Sequence, residues 1–316
     1  MSSSTVDTPI MKGGDATFLI LLIIIGTFGN LLTIISVIKV PNIKKISNAF
    51  IFFIACSDCF MCSYIAVVIL IQRIFNNNVM GPTGCLINAI LFSVTMGISN
   101  FSFMFIAINR YLYVIHNQIF RKIFHFKGVI VCIATIPIFW ITYSLLILFL
   151  LNGFKYEETA YICIYSDEDV NITMSAILTA LSIGVPAIIA LSCYIALCVT
   201  IFIRAKKASN ISQTKSTNTS ENSVLIRFKR EAKAILSLFV SFIVFFICWG
   251  PYTLHVYLAH AGLMKDFPEK GMYWLCVSAS AFNPIIYGVF NSNFREAYLQ
   301  VLKLKKQITQ VGVTQI

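Results

Sequence analysis

Five oxygen-bearing side chains in this sequence could together hold a small hard cation. Asp58, Asn30, Ser99, Ser280 and Asn283 each lie inside a long apolar run, and Asp58 is the only acidic residue at such a depth. One carboxylate with hydroxyl and amide oxygens suits a small hard cation, sodium being the natural candidate, with Asp58 as the charged ligand. The same residues also fit a hydrogen-bonded polar knot around a protonated Asp58. Spacing leaves both readings open. A second pair brackets one run. Arg110 follows Cys85 by 25 residues, and no charge intervenes. At helical rise that is about 37 Å, enough to cross the roughly 30 Å hydrocarbon layer of a bilayer. Arg110 at such a helix end is either a snorkelling anchor or a switch residue.

The elements that must position these groups are plain in the composition. Of 316 residues, 58% are hydrophobic and only 12% are charged, and mean hydropathy is +0.83. A soluble domain of this length does not combine so little charge with so many long apolar runs. Seven runs are long enough to span a membrane: 16–38, 47–72, 85–109, 128–152, 170–203, 234–264 and 271–290. Nineteen of the 24 lysines and arginines lie in the loops after spans one, three and five and in the tail. That bias places these segments on the cytoplasmic side and the N-terminus outside. The net charge of +11 is therefore a topology signal and not a sign of nucleic-acid binding. The first run is too long for a signal-peptide core and reads as a retained anchor.

Eight of the ten cysteines fall inside spans and read as small packing residues. Cys85 and Cys163 alone face the oxidising side, so one disulfide between them is expected. Asn171-Ile-Thr173 is the one glycosylation sequon in an outside position, close to span five. Asn100-Phe-Ser102 is also a sequon, but it is buried in span three. Segment 208–222 reads as a flexible cytoplasmic loop. Span six carries Trp249-Gly250-Pro251 and span seven Asn283-Pro284-Ile285-Ile286-Tyr287, each a mid-helix break. After Asn293, the residues Phe294, Ala297, Tyr298, Val301 and Leu302 share one helical face. The expected fold is thus an all-α membrane protein. Residues 1–15 form an extracellular N-terminus and 16–291 a seven-transmembrane helix bundle. Residues 292–316 form a short amphipathic membrane-surface helix with a cytoplasmic tail.

Taken in order, Gly29-Asn30, Ala55 with Asp58, Cys85 with Cys163, Arg110-Tyr111, Trp140, Pro186 with Tyr194, Cys248 to Pro251 and Asn283 to Tyr287 resemble the rhodopsin-like (class A) G-protein-coupled receptors. Asn109-Arg110-Tyr111 with the following Tyr113 and His116, and Ile285 to Gly288, look like the melatonin-receptor branch. The chain departs from that branch at Pro284, Leu150, Tyr165 and Asp167, and from most class A members at Asn109, where an Asp is usual. The resemblance implies a plasma-membrane, multi-pass receptor with an extracellular ligand pocket. It also implies a heterotrimeric G protein as partner, of the Gi/o class, with arrestin as a further partner. It implies an activation switch of Asn109, Arg110, Tyr111, Tyr194, Glu231, Trp249, Pro251, Asn283, Pro284 and Tyr287, in which Arg110 and Glu231 latch spans three and six together at rest.

The candidate ligand pocket comprises Phe92, Ser93 and Met96 on span three, Trp249, Tyr252 and His255 on span six, and Tyr165 above them beside the disulfide. Amine receptors of the family carry an Asp where Phe92 stands, so a cationic monoamine would lack its counter-ion. A neutral aromatic ligand, melatonin-like in type, or a peptide is expected instead. The C-terminal Val313-Thr314-Gln315-Ile316 suits capture by a PDZ scaffold. No cofactor is expected beyond the allosteric sodium ion. The rival reading is a seven-span transporter, but the spans show no paired repeat. No catalytic motif points to an enzyme.

Overall fold

In the computed structural model, residues 9–151, 154–165, 177, 180–212, 219–260 and 269–304 are described. Seven helices are long and apolar enough to cross a membrane: Gly13–Lys39, Ala49–Phe75, Gly81–Ile115, Phe126–Phe149, Ala180–Arg204, Ala232–His255 and Gly271–Phe290. They are spans one to seven. Their outward faces keep large apolar side chains exposed, such as Phe28, Phe149, Ile188 and Phe202, as lipid contact requires. Several helices run past the apolar stretch. Span one is helical from Pro9, span three starts at Gly81 rather than Cys85, and the span-six helix covers Thr219–His260. Pro82 in the first turn of span three fits the rule that proline suits a helix start.

Prolines decide how the bundle is tied together. A helical proline has no N–H, so the carbonyl four residues earlier loses its partner, and lipid offers none. Pro284 frees the carbonyl of Ser280, and the Asn30 side chain of span one donates to it at 2.9 Å. Pro186 frees the carbonyl of Ser182, inside the π-turn Ala180–Gly184, and Asn100 of span three donates to it at 2.9 Å. In both places an asparagine from a neighbouring helix replaces the missing backbone donor. Small residues allow that closeness. A methyl group on Gly29 would come within 2.9 Å of the Pro284 ring, and one on Gly97 would overlap the Trp140 indole.

Two further elements complete the chain. Between spans four and five, β1 (Phe154–Glu157) pairs antiparallel with β2 (Ile162–Tyr165). The sequence reading did not anticipate this hairpin. Cys163 of β2 is bonded to Cys85, their Cα atoms 5.3 Å apart, so the hairpin is fixed to the start of span three. After span seven, the helix Ser292–Val301 is capped by Asn291, whose side chain accepts from the Asn293 amide at 3.1 Å. It buries Phe294, Ala297 and Tyr298, while Leu302 stays exposed. The Tyr298 hydroxyl meets the Thr33 hydroxyl of span one at 2.7 Å, so this helix packs on the bundle along its apolar face.

Substitution of Asn100 tests the proline rule. Asn100→Leu removes the side-chain donor to the Ser182 carbonyl, which costs about 1–3 kcal/mol. The purified protein should lose several degrees of Tm. Adding Pro186→Ala restores a backbone N–H and should recover part of that loss; a double variant no more stable than Asn100→Leu would refute the pairing.

Candidate functional site

Asp58 lies in the last turn of the regular α-helical part of span two, Ala49–Phe60, before the π-turn Met61–Ile65. It is 2% exposed. Ser99 and Ser280 donate to its Oδ1 at 3.2 and 2.8 Å, and the Asn283 amide donates to its Oδ2 at 2.7 Å. Spans two, three and seven therefore meet at one carboxylate. Asn30 does not touch it; its amide goes to the Gly26 and Ser280 carbonyls and reaches the cluster through the span-seven backbone. The contacting set holds carboxylate, hydroxyl and amide groups only, the hard donors that sodium or another small cation takes. Among the described residues no group of three His, Cys, Asp or Glu could form a transition-metal site.

Toward the disulfide end, Phe92 and Trp249 are buried and their rings lie 5.9 Å apart across spans three and six. Tyr252 packs on Trp249 at 6.3 Å and on Tyr273 of span seven at 4.9 Å. Met96 packs partly buried against this core, and Ser93 and His255 are half-buried. Tyr165 ends β2, and its side chain lies outside the described residues, as does Asn171. Trp249 also stacks on Phe245, which packs on Phe103, so an aromatic column runs from the pocket level into the bundle.

At the opposite end, Arg110 donates to the Asn48 side chain at 3.3 Å. Asn109 is buried, and its amide nitrogen has no partner among the described residues. Tyr111 reaches His116 at 3.3 Å. Tyr194 and Tyr287 are fully buried, the first against Phe239 and Phe242 and the second against Phe294. A cleft of about 560 Å³ opens here, lined by Asn48, Asn109, Arg110, Tyr113, Ile235 and Asn291 among others. Glu231 belongs to the span-six helix, but its side chain lies outside the described residues, as do Val313 to Ile316.

A cluster at the disulfide end escaped the sequence reading. Arg73, at the end of span two, forms an ion pair with Asp15 of span one at 2.7 Å, its side chain 2% exposed. Its Nη1 donates to the Tyr161 hydroxyl at 2.7 Å, and its guanidinium sits 4.8 Å from the centre of that ring. Gln72 donates to the Tyr161 carbonyl at 3.0 Å, and Trp274 of span seven donates to the Ala160 carbonyl at 3.1 Å. Tyr161 holds φ 59°, a left-handed turn that a bulky residue adopts only when its surroundings enforce it. The tip of the hairpin is thereby fastened to spans one, two and seven. The one signal in the sequence was a lone arginine ending an apolar run.

Three comparisons bear on this arrangement. Residues 29–287 match the family described as 7 transmembrane receptor (rhodopsin family). The melatonin receptor type 1B-B of Danio rerio is 26% identical over 91% of this chain and 81% of its own length. The melatonin receptor type 1B of Homo sapiens is 25% identical, over 95% of this chain and 81% of its own. The crystal structure of squid rhodopsin superposes with a TM-score of 0.79 at 19% identity, over 94% of this chain and 87% of that one.

The Arg73 cluster makes its own prediction. Removing Asp15 alone takes a carboxylate away from a buried guanidinium, a loss of about 3–5 kcal/mol in such settings. Asp15→Leu and Arg73→Met should each lower the Tm of the purified protein. The double variant should be no less stable than the worse single one, and additive losses would show that the pair is not coupled.

Proposed function

The chain belongs to the rhodopsin family of seven-transmembrane receptors, and we propose that it signals to a Gi/o-class heterotrimeric G protein in response to a neutral extracellular ligand. It is a multi-pass membrane receptor and not an enzyme, and the transporter reading gains nothing from the fold. The observation that carries the ligand reading is the Phe92–Trp249 contact at 5.9 Å. An aromatic pair stands on the level where a cationic amine would need a carboxylate. Ser93, Met96, Tyr165, Tyr252 and His255 complete the pocket in this reading. Its relatives are named as melatonin receptors, which supports a melatonin-like aromatic ligand; a basic peptide, drawn by the acidic segment holding Glu157 and Glu158, is the alternative to a neutral ligand. In this reading the N-terminus and hairpin face outward, Asn171 is the glycosylation site, and the Arg110 cleft receives the G protein. Arrestin would use the same face, and Val313 to Ile316 would recruit a PDZ scaffold.

The route from ligand to G protein follows the chain's own contacts. Ligand pressing on Trp249 acts on span six beside Pro251, where the helix lacks one hydrogen bond. Span six then carries Glu231 relative to Arg110. Asn109 cannot restrain Arg110 as an ionised Asp would, so Glu231 carries more of the restraint. Losing a partly buried charged pair of about 1.4 kcal/mol shifts a two-state population tenfold. Asp58, Ser99, Ser280 and Asn283 would hold a sodium ion, which offsets a buried carboxylate charge and ties spans two, three and seven in the resting state.

Nucleotide exchange on a purified Gi/o heterotrimer, at matched surface level or receptor amount, checks both parts. Glu231→Gln should raise ligand-independent exchange several-fold, and Arg110→Ala should abolish exchange with surface expression retained. Basal exchange in Glu231→Gln equal to the parent would remove the latch. Replacing N-methylglucamine with sodium should lower basal exchange in the parent and leave Asp58→Asn unchanged. A parent indifferent to sodium would leave only the hydrogen-bonded knot.

A further inference from the structure

Two polar side chains flank the Cys85–Cys163 disulfide with their hydrogen-bonding atoms buried and unpaired. Asn88 follows Cys85 by three residues and precedes Phe92 by four, so it shares the inward stripe of span three with both. It is 0% exposed, and neither its amide nitrogen nor its amide oxygen has a partner among the described residues. Tyr156 stands opposite Cys163 in the hairpin and packs against the cluster of Cys85, Ala89 and Cys163. Its hydroxyl is buried and likewise has no partner among the described residues. Nearly all buried polar groups in folded proteins find partners, and each exception calls for an occupant or a cause. Others occur elsewhere in the bundle, such as Ser102 and Ser144, but these two lie on the two elements that the disulfide joins, directly above the aromatic level of Phe92 and Trp249.

The chemistry of the pair selects what it would hold. A carboxamide offers two N–H donors and one carbonyl acceptor, and a phenol offers one donor and one acceptor. Burial, with Tyr161, Glu158 and Glu157 nearby, pushes the Tyr156 phenol up to about 12, so it remains an O–H at neutral pH. The same two glutamates disfavour an anionic ligand group, and neither Asn88 nor Tyr156 supplies a charge for a cationic one. A neutral group with both a donor and an acceptor satisfies the pair, and a secondary amide is the simplest. We infer that Asn88 and Tyr156 form a polar subsite that recognises a neutral amide group of the ligand, between the hairpin and the aromatic floor. The subsite deepens the pocket reading above and rests on it. Because Asn88 is enclosed at rest, ligand entry must displace packing beneath the hairpin, so the amide is desolvated on binding. A site built for an N–H then discriminates strongly against an isostere lacking it.

The test uses purified full-length receptor without G protein, so that it stands or falls separately from the coupling reading. The probes are paired aromatic amides and aromatic esters of the same shape, an ester lacking the N–H. Binding is read from thermal shifts across a concentration series. The parent should bind the better amides about tenfold or more tightly than their esters. Asn88→Leu should erase that preference by weakening the amides more than the esters, and Tyr156→Phe should weaken the amides about fivefold. The ligand-free Tm of Asn88→Leu should equal or exceed that of the parent, because an unsatisfied amide is removed. A lower ligand-free Tm would mean that Asn88 is structural, and the subsite falls. It falls also if amides and esters bind alike, or if neither binds.

Discussion

A backbone carbonyl without a donor is the constraint on which this bundle depends. Water would satisfy it in a soluble protein, but hydrocarbon does not. The chain nevertheless places prolines inside membrane-spanning helices, and each removes one N–H. At Ser280 and Ser182 the replacement donor is an asparagine from another helix. The break and its repair together fix two helix pairs, one–seven and three–five, in both rotation and height. Apolar packing in lipid specifies neither so sharply, because lipid tails solvate an apolar face about as well as another helix does. The prolines thus generate the directional contacts that the fold uses.

The same logic explains the position of Asp58. Its three donors come from spans three and seven, and Pro284 of span seven directly follows one of them, Asn283. Asn30 holds the carbonyl of Ser280, whose hydroxyl is on the carboxylate. Four spans are therefore linked through one carboxylate and one freed carbonyl. A shift of span seven must break bonds at both. The cluster sits between the aromatic level of Trp249 and the cleft at Arg110, so any motion passing from one to the other through span seven must rearrange it.

Much of this was legible in the sequence, and the reasons for the rest are physical. Span number and approximate limits follow from run length, because every membrane helix must cover the same thickness. The convergence of Asp58, Ser99, Ser280 and Asn283 follows from depth, since a buried acid needs donors at its own level. Depth does not reveal whether a side chain meets another side chain or a backbone atom, which is why Asn30 was grouped with the carboxylate and contacts Ser280 instead. Asn100 drew notice only as an unusable sequon, yet its role depends on Pro186, 86 residues away. The Arg73 cluster was invisible for a similar reason. Its partners Asp15 and Tyr161 lie 58 and 88 residues distant, in segments whose local pattern says nothing about pairing.

The two ends of the bundle differ in how they are closed. At the disulfide end a covalent bond, a buried ion pair, a stacked guanidinium and two side-chain bonds to the hairpin backbone converge on Tyr161 and Cys163. At the arginine end Arg110 donates to Asn48, Arg204 to the Val114 carbonyl and Asn291 to Ser237, around an open cleft. Local opening costs less where fewer contacts must break together. A perturbation at the aromatic level between these ends therefore meets a covalently tied hairpin on one side and an open cleft on the other. In the proposed route, motion that starts at the aromatic level leaves the hairpin in place over the pocket and is read out at the Arg110 cleft.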